Sequence, residues 1–153
     1  MISITLDLGN VPSVLAALAS AKTMQKVVNA AAESYADDMH DFIDAKKSFT
    51  PRTGQLQQSI NWEPNGNGSA TVYAQADYAG FVEEGTKAHV IRPKNRKALR
   101  FPVGGGAGFG FAKVINHPGS KPYPYFFADQ TARGENMQAK AMSVLSSVAL
   151  TNS

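Results

Sequence analysis

The chain has 153 residues, a mass of 16.3 kDa, 43% hydrophobic and 18% charged residues, and a net charge of +3. This composition predicts one folded domain and excludes a disordered chain, and the absence of cysteine excludes disulfides, thiolate metal sites and a cysteine nucleophile. The longest uncharged run, residues 8–21, has 14 residues, which is fewer than the roughly 18 that a membrane span needs. The N-terminus also lacks the basic region of a secretory signal, so we expect a soluble chain without one.

The N-terminal third predicts a strand followed by a long helix. Ile2, Ile4, Leu6 and Leu8 alternate with more polar residues, and this period of two is typical of a half-buried strand. Apolar or small side chains then recur every three or four residues over residues 13–46. That spacing predicts an amphipathic helix, with a break near residues 20–23.

The middle of the chain predicts short strands and turns. The sequence Asn65-Gly66-Asn67-Gly68 is a strong hairpin signal, and the alternation over residues 70–76 predicts the strand that follows it. Residues 78–86 predict one helical turn that ends at Gly85. Three further short strands are predicted, at residues 89–92, 98–102 and 113–116.

The last predicted element is a helix over residues 125–150, opened by Pro124. The order of helix, short strands and helix predicts an α+β fold, with a long N-terminal helix and a C-terminal helix packed on a small, mainly antiparallel sheet. We expect a single domain over residues 1–153 with a mobile glycine-rich loop at 103–112. The predicted core packs five residues of the middle region on the N-terminal helix: Tyr78, Phe81, Val82, Leu99 and Phe101.

Catalytic and metal-binding patterns are weak. The three histidines, His40, His89 and His117, do not occur at metal-ligand spacing, and Asp37 with Asp41 is more typical of a solvated helix face. The sequence has no G-x-S-x-G nucleophile elbow, and its glycine-rich stretch does not fit a phosphate-binding loop. We therefore predict no enzymatic activity, no metal and no cofactor.

A basic loop is the clearest candidate for an interaction. Residues 87–100 contain six Lys or Arg and no acid. Two hypotheses follow: the loop meets an acidic protein neighbour, or it binds nucleic acid through phosphates. Residues 90–100 contain no aromatic side chain for base stacking, and no helix–turn–helix, zinc-finger or RNP motif is present. The protein neighbour is preferred, and nucleic-acid binding is the alternative.

Four stretches occur in a characteristic order. They are T-P-R-T-G-Q-L with S-I at 50–60, Y-A-G-F-V-E-E-G-T at 78–86, R-P-K leading to A-L-R-F at 92–101, and H-P-G-S-K-P with P-Y-F at 117–126. Together they resemble the tail-completion or head–tail joining proteins of long-tailed bacteriophages, a family related to minor tail protein Z. The resemblance covers roughly residues 15–145, and the glycine-rich stretch is longer than the pattern of that family.

The resemblance implies a structural protein of the virion rather than an enzyme. Such a protein acts in the neck or upper tail, is assembled in the host cytoplasm, and works as a ring with six copies expected. Its implied partners are further copies of itself, the tail terminator, the tail tube and the head–tail connector, with DNA contact left open. The candidate interaction residues are the cations of the basic loop and the two adjacent carboxylates: Arg92, Lys94, Arg96, Lys97, Glu83 and Glu84.

Overall fold

The structure is a computed structural model that describes residues 1–7, 20–45, 48–49, 53–103 and 108–151. Four helices are found in these ranges: α1 (Ala21–Asp44), α2 (Gln55–Gln58), α3 (Ala79–Glu84) and α4 (Gln130–Thr151). Seven strands accompany them: β1 (Ile2–Asp7), β2 (Ile60–Gly66), β3 (Ser69–Ala74), β4 (His89–Ile91), β5 (Leu99–Val103), β6 (Gly108–Ala112) and β7 (Ile115–His117). The predicted α+β class, with small antiparallel sheets, is confirmed.

The largest sheet has three antiparallel strands in the order β1-β3-β2. The predicted hairpin turn joins β2 to β3, and Asn67 and Gly68 adopt positive φ angles of 47° and 78° there. Such angles suit the tight turns that match the twist of the paired strands. Alternate residues of β3, namely Ala70, Val72 and Ala74, are completely buried, so one face of this sheet lies on the core.

Helix α1 covers the core face of the sheet and also packs along α4. It begins at Ala21 because the Ser20 side chain caps it by accepting a hydrogen bond from the backbone N–H of Thr23. This start falls at the break predicted near residues 20–23, while the predicted helical residues 13–19 and 46 lie outside the described residues. The buried face follows the helical period: Val28, Ala32, Tyr35, Met39 and Ile43.

The core differs from the predicted one at its centre. Tyr125 and Phe126, in the segment before α4, are completely buried against α1, whereas Tyr78 is exposed and Phe81 is 62% exposed. The reason lies in α3, which turns Ala79 and Glu83 inward and the neighbouring aromatic rings outward. Of the five predicted core residues, only Val82 packs on this core.

The other two, Leu99 and Phe101, lie half-buried in a separate two-stranded hairpin formed by β5 and β6. The segment predicted as a mobile loop, 103–112, contains strand residues, because Val103 ends β5 and residues 108–112 form β6. Gly110 pairs directly with Phe101, and a Cβ at position 110 would lie 2.8 Å from that ring. A Cβ here would displace the Phe101 ring, so glycine lets that ring cover the strand. Residues 104–107 lie outside the described part of the chain.

The C-terminal helix also begins later than predicted. It starts at Gln130 rather than near Tyr125, because the backbone of Tyr125 and Phe126 bonds to side chains instead of entering a helix. Gly134 lies within this continuous helix. The small sheet of β4 and β7 precedes this segment.

Candidate functional site

Two turns that belong to different motif stretches are bonded to each other. The backbone N–H and carbonyl of Thr86 exchange hydrogen bonds of 3.1 and 3.0 Å with those of Ser120, and their hydroxyl groups lie 3.0 Å apart. Gly85 and Gly119 flank this bridge with φ angles of 75° and 91°. A Cβ at Gly85 would lie 2.5 Å from the Ser120 carbonyl oxygen, and one at Gly119 would collide with the Thr86 carbonyl. Both glycines are therefore dictated by the close approach of the two turns.

Glu83, a residue of α3, is hydrogen-bonded to the segment that follows the Ser120 turn. Its carboxylate accepts hydrogen bonds from the backbone N–H groups of Tyr125 and Phe126 at 2.8 Å each, and from that of Phe127 at 3.1 Å. The side chain is only 7% exposed. Glu83 is one of the candidate interaction residues, and the structure places its carboxylate oxygens inside the fold, where backbone N–H groups engage them.

Arg133 satisfies the carbonyl groups of the same dipeptide. Its guanidinium donates to the Phe126 carbonyl at 2.6 Å and to the Tyr125 carbonyl at 2.7 Å, and it is 2% exposed. The Tyr35 hydroxyl also donates to the Phe126 carbonyl at 2.7 Å. Glu83 and Arg133 are the charged side chains found buried among the described residues, and each acts on the backbone groups of opposite polarity.

This arrangement, which we call the clasp, consists of Glu83, Arg133, Tyr35 and the Tyr125–Phe126 dipeptide. Burial raises the pKa of Tyr35, although the hydrogen bond with Arg133 opposes the shift. Burial also raises the pKa of Tyr125, and the nearby Glu83 charge adds to the effect. Sequence analysis missed Arg133, since a lone arginine in a predicted helix carries no local sign that it is buried.

The remaining predicted interaction residues are all exposed. Arg92, Lys94, Arg96 and Lys97 lie in the connection between β4 and β5, and Glu84 lies at the end of α3. They belong to a longer pattern: residues 87–121, the basic segment, contain eight Lys or Arg and no acid. All eight side chains are exposed. The rest of the chain holds seven Lys or Arg and all twelve acids, so the sequence divides into a basic segment of net charge +8 and a remainder of net charge −5.

The β5–β6 hairpin, which we call the arm, brings aromatic rings to these cations. Register places Arg100 opposite Phe111 and Pro102 opposite Phe109 on one face. Phe109 and Phe111 are 56% and 70% exposed, and the Arg100 guanidinium lies 3.6 Å from the centre of the Phe109 ring. Sequence analysis found no aromatic residue within 90–100, because strand pairing rather than chain neighbourhood brings Phe109 and Phe111 to these cations.

A second exposed aromatic surface lies on α3 and the turn before it. Asp77, Tyr78, Phe81 and Glu84 are exposed there, and we call them the α3 face. A cleft of about 370 Å³ lies at Asp77 and Tyr78, and another of about 470 Å³ lies at Phe81 and Glu84. This surface combines apolar rings with carboxylates.

The histidines do not form a metal centre with other ligands in the described part of the chain, where no group of three or more His, Cys, Asp or Glu is found. His89 and His117 lie opposite each other in β4 and β7, with ring centres 5.0 Å apart. Nδ1 of His117 accepts a hydrogen bond from the Gly119 N–H, so this ring serves the turn. Within the described ranges, none of the helices has the length and apolar character needed to cross a bilayer.

Comparison with known proteins gives one family. Residues 13–85, just under half of the chain, match the HK97-gp10-like family, described as "Bacteriophage HK97-gp10, putative tail-component". No curated protein and no solved structure matches the chain significantly. The family match supports a structural component of a phage tail, located in the virion and in contact with other tail proteins. It does not single out relatives of minor tail protein Z.

Proposed function

We propose that this chain completes the tail of a long-tailed phage and joins it to the head at the neck. In this role it is a non-enzymatic ring of six copies that contacts the tail terminator, the tail tube and the head–tail connector. The observation that carries the proposal is the family match over residues 13–85, which includes α1 and α3. One motif stretch outside that match, residues 117–126, bonds directly to α3 and to the turn after it, through Glu83 and the bridge between Thr86 and Ser120.

Several residues of the motif stretches stabilise the fold. Gly85 and Gly119 allow two turns to approach each other. Glu83 and Arg133 form hydrogen bonds with the backbone N–H and carbonyl groups of the buried Tyr125–Phe126 dipeptide. The exposed side chains that remain include arginines and aromatic rings, which are enriched in protein interfaces. These features support a role in assembly and do not require chemistry on a substrate.

The test is a phage in which the gene for this chain is interrupted and then supplied from a plasmid. We expect the interrupted phage to accumulate DNA-filled heads and separate tails in electron micrographs, with joined particles restored by the plasmid. Interruption that leaves joined, infectious particles would overturn the proposal. Accumulation of empty heads would also overturn it, since that defect lies in packaging.

Nucleic-acid binding is the second candidate function, and the basic segment favours it. Eight exposed cations without an acid could neutralise several phosphates, and Phe109 with Phe111 offers rings for stacking on single-stranded bases. Fluorescence anisotropy with single- and double-stranded oligonucleotides over a range of salt tests it. Binding whose logarithm falls steeply with the logarithm of salt, at about 0.9 per phosphate contact for duplex DNA, would favour this function. Absence of binding at physiological salt would reject it.

A further inference from the structure

The outer face of the arm exposes apolar side chains to solvent. Phe109, Phe111 and Pro102 form an exposed apolar face, and Arg100 lies over one of the rings. A two-stranded hairpin is marginally stable by itself in water, and exposed apolar patches of this kind mark interaction sites. Aromatic and arginine side chains are also the residues that most often dominate binding energy at protein interfaces. These features indicate that the arm is a binding surface for another molecule.

The same chain carries a surface of matching character on α3. Phe81 and Tyr78 are exposed aromatic rings, and the carboxylates of Asp77 and Glu84 lie beside them. The arm offers two rings and a cation, and the α3 face offers rings, two carboxylates and two clefts. Phe109 and Phe111, two residues apart on one strand, are separated along it by about 7 Å. Both the apolar and the charged elements of the two surfaces are complementary.

We propose that the arm of one copy docks on the α3 face of the next copy, head to tail. This inference rests on the proposed ring and assigns the surfaces that form it. Arg100 pairs with Glu84 or Asp77 of the neighbour, and the two phenylalanine rings pack against Phe81 and Tyr78. In this order each copy gives its arm to one neighbour and receives the arm of another, so the contact is heterologous, and repeating it gives a ring if the rotation closes.

The division of charge along the sequence agrees with this order. The arm belongs to the segment with a net charge of +8, whereas Asp77 and Glu84 of the α3 face belong to the remainder with a net charge of −5; Lys87 and His89 of the basic segment also line the cleft at Phe81 and Glu84. Opposite potentials steer association, and like charges disfavour contacts of arm with arm. The exposed cations of the β4–β5 connection, from Arg92 to Lys97, act as the charged rim of this interface.

A mixing experiment tests the assignment. One variant carries Phe109→Ser and Phe111→Ser in the arm, and the other carries Phe81→Ser on the α3 face; all three side chains are exposed, so folding is expected to be preserved in circular dichroism. In sedimentation velocity, each variant alone should self-associate at least about tenfold more weakly than the unaltered chain. Mixed together, they should form a 1:1 dimer and nothing larger, because each supplies one intact surface.

Other outcomes of the mixing experiment overturn the inference. An arm-to-arm interface would leave the Phe81→Ser variant fully associated, and the mixture would contain no new dimer. A matched control reverses two exposed acids of α1, Asp37→Lys with Asp41→Lys, and should associate like the unaltered chain. If this control dissociates while the Phe81→Ser variant does not, the acceptor surface lies on α1 instead. If the Phe variants bind DNA less well and associate normally, the arm belongs to nucleic acid.

Cross-linking in particles tests the same contact during assembly. The chain has no cysteine, so a variant with both Phe111→Cys and Glu84→Cys contains one engineered pair. Oxidised phage particles should then yield a ladder of linked copies, whereas either single variant should not. A monomeric chain in solution together with no ladder from particles would overturn the docking proposal. Failure of the gene-interruption test with an intact ladder would overturn the joining function and leave the docking contact standing.

Discussion

The molecule has two regions that differ in how completely they bury their own side chains. The packed half, made of β1–β3, α1, α3 and α4, buries Ala32, Val72 and Ala74 fully and encloses the clasp. The basic segment consists of two small two-stranded sheets whose cations are exposed and whose aromatic residues are half-buried or exposed. The first region satisfies its buried polar side chains internally, although it also carries the exposed α3 face. The second has a surface that suits a partner.

The two regions are joined beside the clasp. The turn at Ser120 bonds to Thr86, and the chain then enters the core as Tyr125 and Phe126. Substitutions in the clasp or in the turn at Ser120 should therefore destabilise the fold, whereas substitutions elsewhere in the basic segment should leave it folded and change its contacts. The predictions below test that division in order of decreasing effect on stability.

The largest effect is expected for Glu83→Ala. The change leaves three backbone N–H groups without their acceptor and removes the negative charge from a buried clasp that still contains Arg133. Loss of one partner from such a buried charged network costs about 3–5 kcal/mol in the free energy of unfolding. Urea denaturation measures it.

The matched control for that change is its neighbour, Glu84→Ala. Glu84 is exposed, so the free energy of unfolding should change by no more than about 0.5 kcal/mol. Equal losses for the two variants would show that Glu83 does not hold the Tyr125–Phe126 backbone.

The next effect is expected for Gly119→Ala. The residue has a φ of 91°, and the added Cβ would collide with the Thr86 carbonyl. Strain of this kind costs about 1–3 kcal/mol, observable as a lower urea midpoint with an unchanged slope. Gly80→Ala is the control, because nothing lies within 4 Å of its added Cβ and it occupies a helix. A Gly119→Ala variant with an unchanged urea midpoint would contradict the close contact between the turns at Thr86 and Ser120.

Alkaline pH should weaken the packed half. Tyr35 and Tyr125 have raised pKa values in the folded chain, while an unfolded tyrosine titrates near pH 10. The stabilisation from keeping them neutral is complete below about pH 10 and is lost as the pH rises above it, by up to about 1.4 kcal/mol per pH unit for each ring. Unfolding measured from pH 8 upward should show the decline. In the Tyr35→Phe variant the free energy of unfolding should decline less steeply with pH than in the unaltered chain. Equal slopes for the two chains would contradict a raised pKa of Tyr35.

A smaller effect is expected for Leu99→Ala in the arm. Sequence analysis placed Leu99 in the central core, where truncation costs about 2–5 kcal/mol. Because the structure leaves Leu99 half-buried in a two-stranded sheet, we expect a loss of about 1 kcal/mol in the free energy of unfolding. A loss in the full core range would show that the basic segment is as tightly packed as the other half.

The smallest effect on stability is expected for the triple variant Lys94→Glu, Arg96→Glu and Lys97→Glu. All three side chains are exposed, so the free energy of unfolding should stay within about 0.5 kcal/mol, yet the variant should leave heads and tails unjoined in micrographs. The same reversal at three other exposed lysines, Lys22, Lys26 and Lys140, should leave joining intact. Normal joining by the first variant together with lost DNA binding would favour the nucleic-acid function.

Several features followed from the sequence because they depend on neighbours along the chain. The alternation of Ile2, Ile4 and Leu6 predicted β1, the Asn67-Gly68 pair predicted the hairpin turn, and the helical period predicted the buried face of α1. These are matters of local steric preference and of one face meeting the core. The α+β class followed from the order of such elements.

Other features were decided only when distant segments came together. Glu83 and Glu84 are identical in chemistry and adjacent in sequence, yet only the packing of α3 makes one a buried acceptor and leaves the other in solvent. Phe109 and Phe111 join Arg100 through strand register, although they are nine and eleven residues away along the chain. Arg133 is buried because two carbonyl groups from another segment need its donors. Local pattern cannot carry such information, since burial and partner choice are properties of the three-dimensional contact and not of the neighbouring residues.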